Sequence, residues 1–345
     1  RAGALDAAIA AFERARALDP GNVNILLSEA YALRRAGRDA EAAERFRQAR
    51  AAGAADVNVV LDQGYAELAA GESEAAASSF RQGVDLMNAD PETDPAKLYG
   101  VRREIQQIED RFGGYAFASY REDSFDPGLA LPEQGVSFGQ IGAEAEYRPE
   151  GLFEAGKGVS VFARGFSTFE EGSLELRDET LQLGAGVRWK PFASQNFNIT
   201  GERLIAAGDL ARDAWLARIS YGWSDGIDWR AGETDWNYTV AYADAAHIFD
   251  DPEFTSLYGS FRQGRRFAVG EKTAVTPYAV AVAQWSDDDF TERDRFEAGV
   301  GVAFSVWFDE TTYTAPAQRL DFEVEYRAAS GDADDSFLAR VLWSL

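Results

Sequence analysis

Few residues of this 345-residue chain have the types and spacing that enzyme chemistry requires. The single histidine is His247, with Asp244 and Asp250 close to it in sequence. A membrane-embedded lipid hydrolase would need a serine nucleophile beside that histidine, and the pattern places none there. One histidine and no cysteine also disfavour histidine- and thiolate-based metal sites. We therefore predict no enzyme activity, no cofactor and no metal site.

Two acidic runs, 287–289 and 332–335, carry carboxylates of the kind that bind calcium through oxygen. They lack the ligand spacing of an EF-hand, so solvated loops are favoured. The formal net charge of −24 argues against nucleic acid as a partner, because phosphate binding needs Lys and Arg.

The extended chemical feature is a polar face that recurs along segments of strict alternation. In 139–147, 181–190, 295–308 and 319–328, every second residue is apolar and the intervening ones are mostly charged, amide or glycine. In a barrel with an apolar exterior, the intervening residues would line the lumen. The predicted lumen-lining residues are Glu144, Glu146, Arg188, Lys190, Arg218, Arg295, Glu297, Asp321, Glu323, Glu325 and Arg327. This surface could hold or pass a hydrated polymer, or its charges could pair and plug the barrel; both interpretations stay open.

The elements that must position these residues are strands. Twelve segments with this character lie near 114–121, 137–148, 158–169, 180–191, 196–207, 214–224, 235–248, 254–265, 274–286, 294–308, 319–330 and 336–345. Most are longer than the roughly 5–6 residues typical of soluble strands and match the roughly 9–11 needed to cross a membrane. The pattern favours a transmembrane barrel of about twelve antiparallel strands. A soluble β-sandwich is the alternative.

Aromatic residues agree with the membrane interpretation. All eight tryptophans lie after residue 188. On a tilted strand, Trp215 and Trp223 would be separated by roughly 21 Å along the membrane normal, close to the roughly 25 Å apolar band between aromatic girdles. The predicted membrane-girdle residues are Trp189, Trp215, Tyr221, Trp223, Trp236 and Trp343.

Before residue 113 the pattern is helical and repeats every 34 residues. Glycine recurs at 3, 37 and 71, alanine at 8, 42 and 76, and phenylalanine at 12, 46 and 80. This is the period of tetratricopeptide (TPR) helix pairs. We expect glycine to end the first helix of a pair, alanine to allow close packing and phenylalanine to fill the groove to the next repeat. The predicted repeat-packing residues are Gly37, Ala42, Phe46, Gly71, Ala76 and Phe80.

The predicted fold is therefore α+β and multi-domain. Residues 1–112 form a short TPR-like α-solenoid and residues 113–345 the β-barrel. In this register the first helix of the first repeat would precede residue 1, so we expect N-terminal sequence to be missing. The repeats could bind a protein or a polymer, or could serve as a spacer.

Several motifs resemble one known family. They are Val187-Arg188-Trp189-Lys190-Pro191-Phe192, then Asp213-Ala214-Trp215-Leu216 with Arg218, and Tyr313-Thr314-Ala315-Pro316. Over roughly residues 180–345 the chain resembles the bacteriophage N-four adsorption protein A family. The resemblance implies a bacterial outer-membrane barrel with helical repeats in the periplasm, and a role in exopolysaccharide export.

This resemblance also implies partners: outer-membrane lipid, the polysaccharide itself, and periplasmic or inner-membrane polysaccharide-synthesis proteins that dock on the repeats. The alternative function is a plugged structural or receptor barrel that serves as a phage adsorption site.

Overall fold

The computed structural model of the protein describes residues 2–121, 138–154, 156–169, 175–250, 253–288, 291–330 and 335–345. The chain divides into two compact units. One is helical and comprises Arg1–Asp110 with Glu310–Ala315; the other is the sheet, Arg111–Asp309 with Pro316–Leu345.

The helical unit contains six helices that pack in chain order: α1 (Ala2–Leu18), α2 (Val23–Arg35), α3 (Asp39–Ala51), α4 (Val57–Ala69), α5 (Ser73–Ala89) and α6 (Pro95–Glu109). The side chains of Asn22, Asp56 and Asp94 accept backbone N–H groups at the starts of α2, α4 and α6. Such caps satisfy donors that lack an intrahelical partner. None of the described helices combines the length and apolar composition that crossing a bilayer requires.

The 34-residue marks occupy equivalent places in successive helix pairs. Gly37 and Gly71 follow α2 and α4 with φ of 72° and 83°, a left-handed conformation that glycine adopts without strain. Ala42 and Ala76, on α3 and α5, are fully buried.

Phe46 is fully buried and meets Tyr31 edge-on, with ring centroids 5.2 Å apart. The equivalent Phe80 and Tyr65 rings are 4.9 Å apart. The marks thus pack as expected from the repeat, while its assignment to the TPR class stays a prediction.

The second unit is a closed antiparallel β-barrel. Its strands are β1 (Phe112–Arg121), β2 (Phe138–Tyr147), β3 (Phe153–Glu154), β4 (Lys157–Thr168), β5 (Gln182–Lys190), β6 (Asn196–Ala206), β7 (Ala214–Asp225), β8 (Asp235–Ile248), β9 (Phe254–Gly270), β10 (Thr273–Asp288), β11 (Thr291–Phe308), β12 (Gln318–Ala329) and β13 (Ser336–Ser344).

Each long strand pairs with its neighbours in chain order, and the short β3 pairs only with the start of β4. The ring closes between the first and last strands, where Tyr115 lies opposite Ser344 and Arg121 opposite Leu338. Without β3, the ring in the described residues has twelve strands, which confirms the predicted barrel and excludes the β-sandwich.

The alternation predicted from the sequence decides which residues face inward. On β12, Phe322, Val324 and Tyr326 are exposed on the outer face, while Asp321, Glu323, Glu325 and Arg327 are buried. A barrel with an apolar outside and charged inside is the membrane arrangement, since lipid solvates the outer face.

Candidate functional site inside the barrel

The eleven residues predicted to line the lumen all lie on the inward-facing positions of their strands. Buried among them are Glu144, Glu297, Asp321, Glu323, Glu325 and Arg327, and half-buried are Glu146, Arg188, Lys190, Arg218 and Arg295. Whether they act on a polymer stays a prediction, but the structure brings most of them into ion pairs.

Glu297 is the centre of one cluster. Its carboxylate accepts bonds from Arg121 on β1 and, at 3.1 Å, from Arg327 on β12. Arg295 forms a third ion pair with it, at 2.6 Å. The Arg121 bond crosses the interior past two intervening strands. A buried carboxylate needs such partners, because an unpaired charge in this environment costs several kcal/mol.

Glu325 is the centre of a second cluster and is fully buried. Arg262 Nε donates to it at 3.0 Å and the Tyr278 hydroxyl at 2.8 Å, and Arg327 links it to the first cluster. Gly301 makes room for this arrangement, since a Cβ there would lie 2.7 Å from the Tyr278 ring and 2.8 Å from Glu325 Cγ. Gly301 thus sits beside two large side chains of the interior.

The other two carboxylates of β12 are also paired with arginines. Glu323 accepts from Arg340 on the neighbouring β13. Asp321 accepts from Arg319 Nε at 2.7 Å and from the Ser305 hydroxyl at 2.6 Å. The three carboxylates of β12 are therefore all paired with cations of β9, β13 and β12 itself.

A further group of charges lies on β2 to β6. Arg188 donates to Glu144 at 2.7 Å and to Glu146 at 2.8 Å. Arg164 and Glu202 form two parallel bonds of 2.6 and 2.7 Å, the bidentate geometry that makes such pairs strong.

Sequence reasoning missed several members of this network: Arg121, Arg164, Glu202, Arg262 and Arg340. Arg164, Glu202 and Arg262 lie on the segments 158–169, 196–207 and 254–265, where the alternation of apolar and polar residues is poor. A signal was present in the pairing, since Arg164 lies opposite Glu144 in the register of β2 and β4. Once one strand's inward face is known, its neighbour's follows.

One predicted girdle residue is wrong. Trp236 is only 3% exposed, and its indole N–H donates to the Gly226 carbonyl at 2.9 Å. It shares the parity of Tyr238, whose ring also faces the interior. The other predicted girdle residues, Trp189, Trp215, Tyr221, Trp223 and Trp343, are exposed on the outer face, and their place in the membrane stays a prediction.

The interior is not polar throughout. Tyr238, Tyr278, Val280, Val282 and Ala303 form a buried cluster on the inner faces of β8, β10 and β11. This sector differs from the polar lumen expected from the sequence, because the middle of β10 places Tyr278, Val280 and Val282 inside and alanines outside.

His247 lies on β8 and shares a hydrogen bond of 2.9 Å with the hydroxyl of Thr255. Its ring packs edge-on against Phe249, with centroids 4.7 Å apart. His247 is therefore paired with a threonine of the neighbouring strand β9.

With this geometry established, the barrel can be compared with known proteins. Residues 174–338 match the family described as bacteriophage N adsorption protein A C-term. The barrel region of the chain is therefore similar to this family. Bacteriophage adsorption protein A of Escherichia coli (strain K12) is 26% identical over an alignment of 224 residues, which covers 61% of this chain and 22% of that protein. The chain thus spans about a fifth of the length of this relative.

Two solved structures are similar in fold at greater distance. An outer membrane channel from Pseudomonas putida F1 has a TM-score of 0.34 and 11% identity, covering 68% of this chain and 96% of its own. A bacterial polysaccharide outer membrane secretin has a TM-score of 0.33 and 10% identity, covering 68% and 97%.

The outer face of the barrel and the match to this family together indicate the cellular location of the protein. Large apolar side chains stand exposed around the outer face, among them Val300 and Trp215. In water such a surface would be an association site, whereas lipid solvates it. The protein is an outer-membrane β-barrel protein, and its six helices are not part of the barrel wall.

Proposed function

We propose that this protein is an outer-membrane conduit for the export of a hydrated exopolysaccharide. The observation that carries the proposal is the charged inner wall, where negative carboxylates are paired with positive guanidiniums. A wall of this kind offers hydrogen-bond donors and acceptors at near-neutral local charge. Sugar hydroxyls need such partners, because their own bonds to water must be replaced during passage.

The dimensions suit one extended chain. Twelve tilted strands give a backbone-to-backbone diameter of about 24 Å. Arginine and glutamate side chains reach inward from several strands and narrow this space further. The passage is therefore suited to a single polymer strand rather than to a folded protein.

The helical unit completes the proposed system. Placed in the periplasm, its repeats would dock polysaccharide-synthesis proteins or the emerging polymer. Stacked helix pairs present extended surfaces of the kind used for such binding.

Planar-bilayer recording tests export directly. The purified protein should give an ion conductance that maltohexaose, added as a model saccharide, changes reversibly. Replacing Glu323, Glu325 and Arg327 together by glutamine should change the conductance and weaken the response to maltohexaose. Glu271→Gln is the matched control, because Glu271 lies exposed in the turn between β9 and β10. A protein that neither conducts nor responds to saccharide would contradict export.

Phage adsorption is a second candidate function, favoured by the relation to bacteriophage adsorption protein A and by the closed charge pairing inside the barrel. In this case recognition falls on the loops away from the end where β1 begins. Cells that display the protein should deplete infectious phage from a test panel. Replacing loop 207–212 by glycine and serine should abolish depletion, while the same change at 271–272, at the opposite end, should not.

A further inference from the structure

The loop between β7 and β8, residues 226–234, turns into the barrel at the end where β1 begins. Ile227 packs against the buried cluster that contains Tyr238, Tyr278 and Val280. Gly226 allows the turn: its φ is 72°, and a Cβ there would lie 1.8 Å from the Asn237 carbonyl oxygen. The loop therefore occupies part of the interior rather than the rim alone.

Side-chain donors of the barrel wall hold the backbone of this loop. Arg266 Nη1 donates to the Ile227 carbonyl at 2.6 Å and to the Gly226 carbonyl at 3.2 Å. Arg319 Nη1 donates to the same Ile227 carbonyl at 3.1 Å, and the Trp236 indole N–H donates to the Gly226 carbonyl. Two carbonyl oxygens thus receive four bonds from side chains of the barrel wall.

Aromatic rings surround the same place. Trp229 of the loop meets Trp236 and Trp307 with ring centroids 5.6 and 5.7 Å apart. The Arg266 guanidinium lies over the rings of Tyr238 and Trp307, 4.8 and 5.0 Å from their centroids. Trp307 is 4% exposed, and its indole N–H has no hydrogen-bond partner among the residues that the structure describes.

We propose that residues 226–230 are an internal plug seated in a saccharide-binding site formed by Arg266, Arg319, Trp236 and Trp307, and that an entering polymer chain displaces them. The inference rests on the proposed export function. Flat aromatic faces and clustered N–H donors are what a sugar ring with hydroxyl or carboxylate oxygens requires. The Trp307 N–H, which the loop leaves unused, supplies one more donor for such a ligand.

The hydrogen bonds to the Gly226 and Ile227 carbonyls make displacement of the loop depend on the ligand. Moving the loop away would leave the Arg266 and Arg319 guanidiniums and the Trp236 indole without these carbonyl acceptors, and unsatisfied donors in such a site are costly. Saccharide oxygens that take these bonds remove that cost. The plug is therefore stable when the site is empty and leaves when a polymer occupies it, as a population shift requires.

Cysteine labelling tests the plug, because the natural sequence contains no cysteine. Ile227→Cys and the control Glu271→Cys are each reconstituted in vesicles and reacted with a membrane-impermeant maleimide. Ile227→Cys should react several-fold more slowly, since position 227 is half-buried against the inner cluster while Glu271 is exposed, and opening of the loop uncovers it. Oligogalacturonate or maltohexaose should speed Ile227→Cys labelling several-fold and leave Glu271→Cys unchanged. The two saccharides separate carboxylate from hydroxyl recognition.

Equal labelling rates without saccharide would overturn the plug, and acceleration by neither saccharide would overturn the site. A second variant keeps the test valid if the cysteine variant misfolds. Ile227→Gly with Trp229→Ala should raise the bilayer conductance severalfold. The control Arg265→Gln, at an exposed position next to Arg266, should not. A lack of saccharide passage in every variant would refute export, even where labelling still establishes the site.

Discussion

Removal of the Glu325 carboxylate is the sharpest test of the charge network. Glu325→Ala leaves Arg262 without the carboxylate that its Nε contacts at 3.0 Å and deprives the Tyr278 hydroxyl of its acceptor. Arg327 keeps its bond to Glu297. Breaking a buried pair from one side costs about 3–5 kcal/mol. Because one of the two cations keeps a partner, we expect the lower part of that range.

Glu325→Gln should cost less, about 1–3 kcal/mol, since the amide oxygen still accepts one bond while the charge is lost. The assay is the urea dependence of barrel unfolding in lipid vesicles, followed by the shift between folded and unfolded bands on an unheated gel. Glu271→Ala, at an exposed turn, should stay within about 0.5 kcal/mol of the unmodified protein. If Glu325→Ala costs no more than Glu271→Ala, the network does not stabilise the barrel and the reasoning fails.

Three further results are expected. Brominated lipid should quench the fluorescence of a variant whose single tryptophan is Trp223 but not one that keeps only Trp236; equal quenching would contradict the buried position of Trp236. Gly301→Val should destabilise the barrel by about 1–3 kcal/mol through overpacking, and an unchanged urea midpoint would show that the interior yields there. Burial, followed by the hydrogen bond to Asp62, raises the pKa of Tyr31 to about 12 from 10.0, so the stability from this contact is complete below pH 10 and lost as the pH rises through 12. In 13C-tyrosine NMR, Asp62→Asn should lower that pKa, and an ordinary pKa in the unmodified chain would refute the contact.

Much of the barrel could be predicted because lipid imposes a simple rule on sequence. A strand between lipid and a polar interior must alternate, so β5, β11 and β12 were recognisable with their correct faces. The helical period was equally direct, since Gly37 and Gly71 mark the same turn in successive pairs.

The interior was harder to predict because its chemistry depends on partners far apart in sequence. Alternation places Glu325 inside but does not show that Arg262, 63 residues away, bonds to it. Trp236 was assigned to the membrane from its residue type, although its strand parity places it inside. The loop that holds Gly226 and Ile227 has no periodicity, so its inward turn could not be read from the pattern.

The seam between β1 and β13 sets an order for assembly. Until Ser336–Ser344 lines up against Phe112–Arg121, both edges of the sheet display backbone amides and carbonyls that hydrocarbon cannot satisfy. The nine-residue strand β13 must therefore pair with β1 before β1 can lie in lipid. A variant with two prolines in β13 would lose hydrogen bonds between β13 and β1. The barrel would then stay open at that seam, even if the other eleven strands pair correctly.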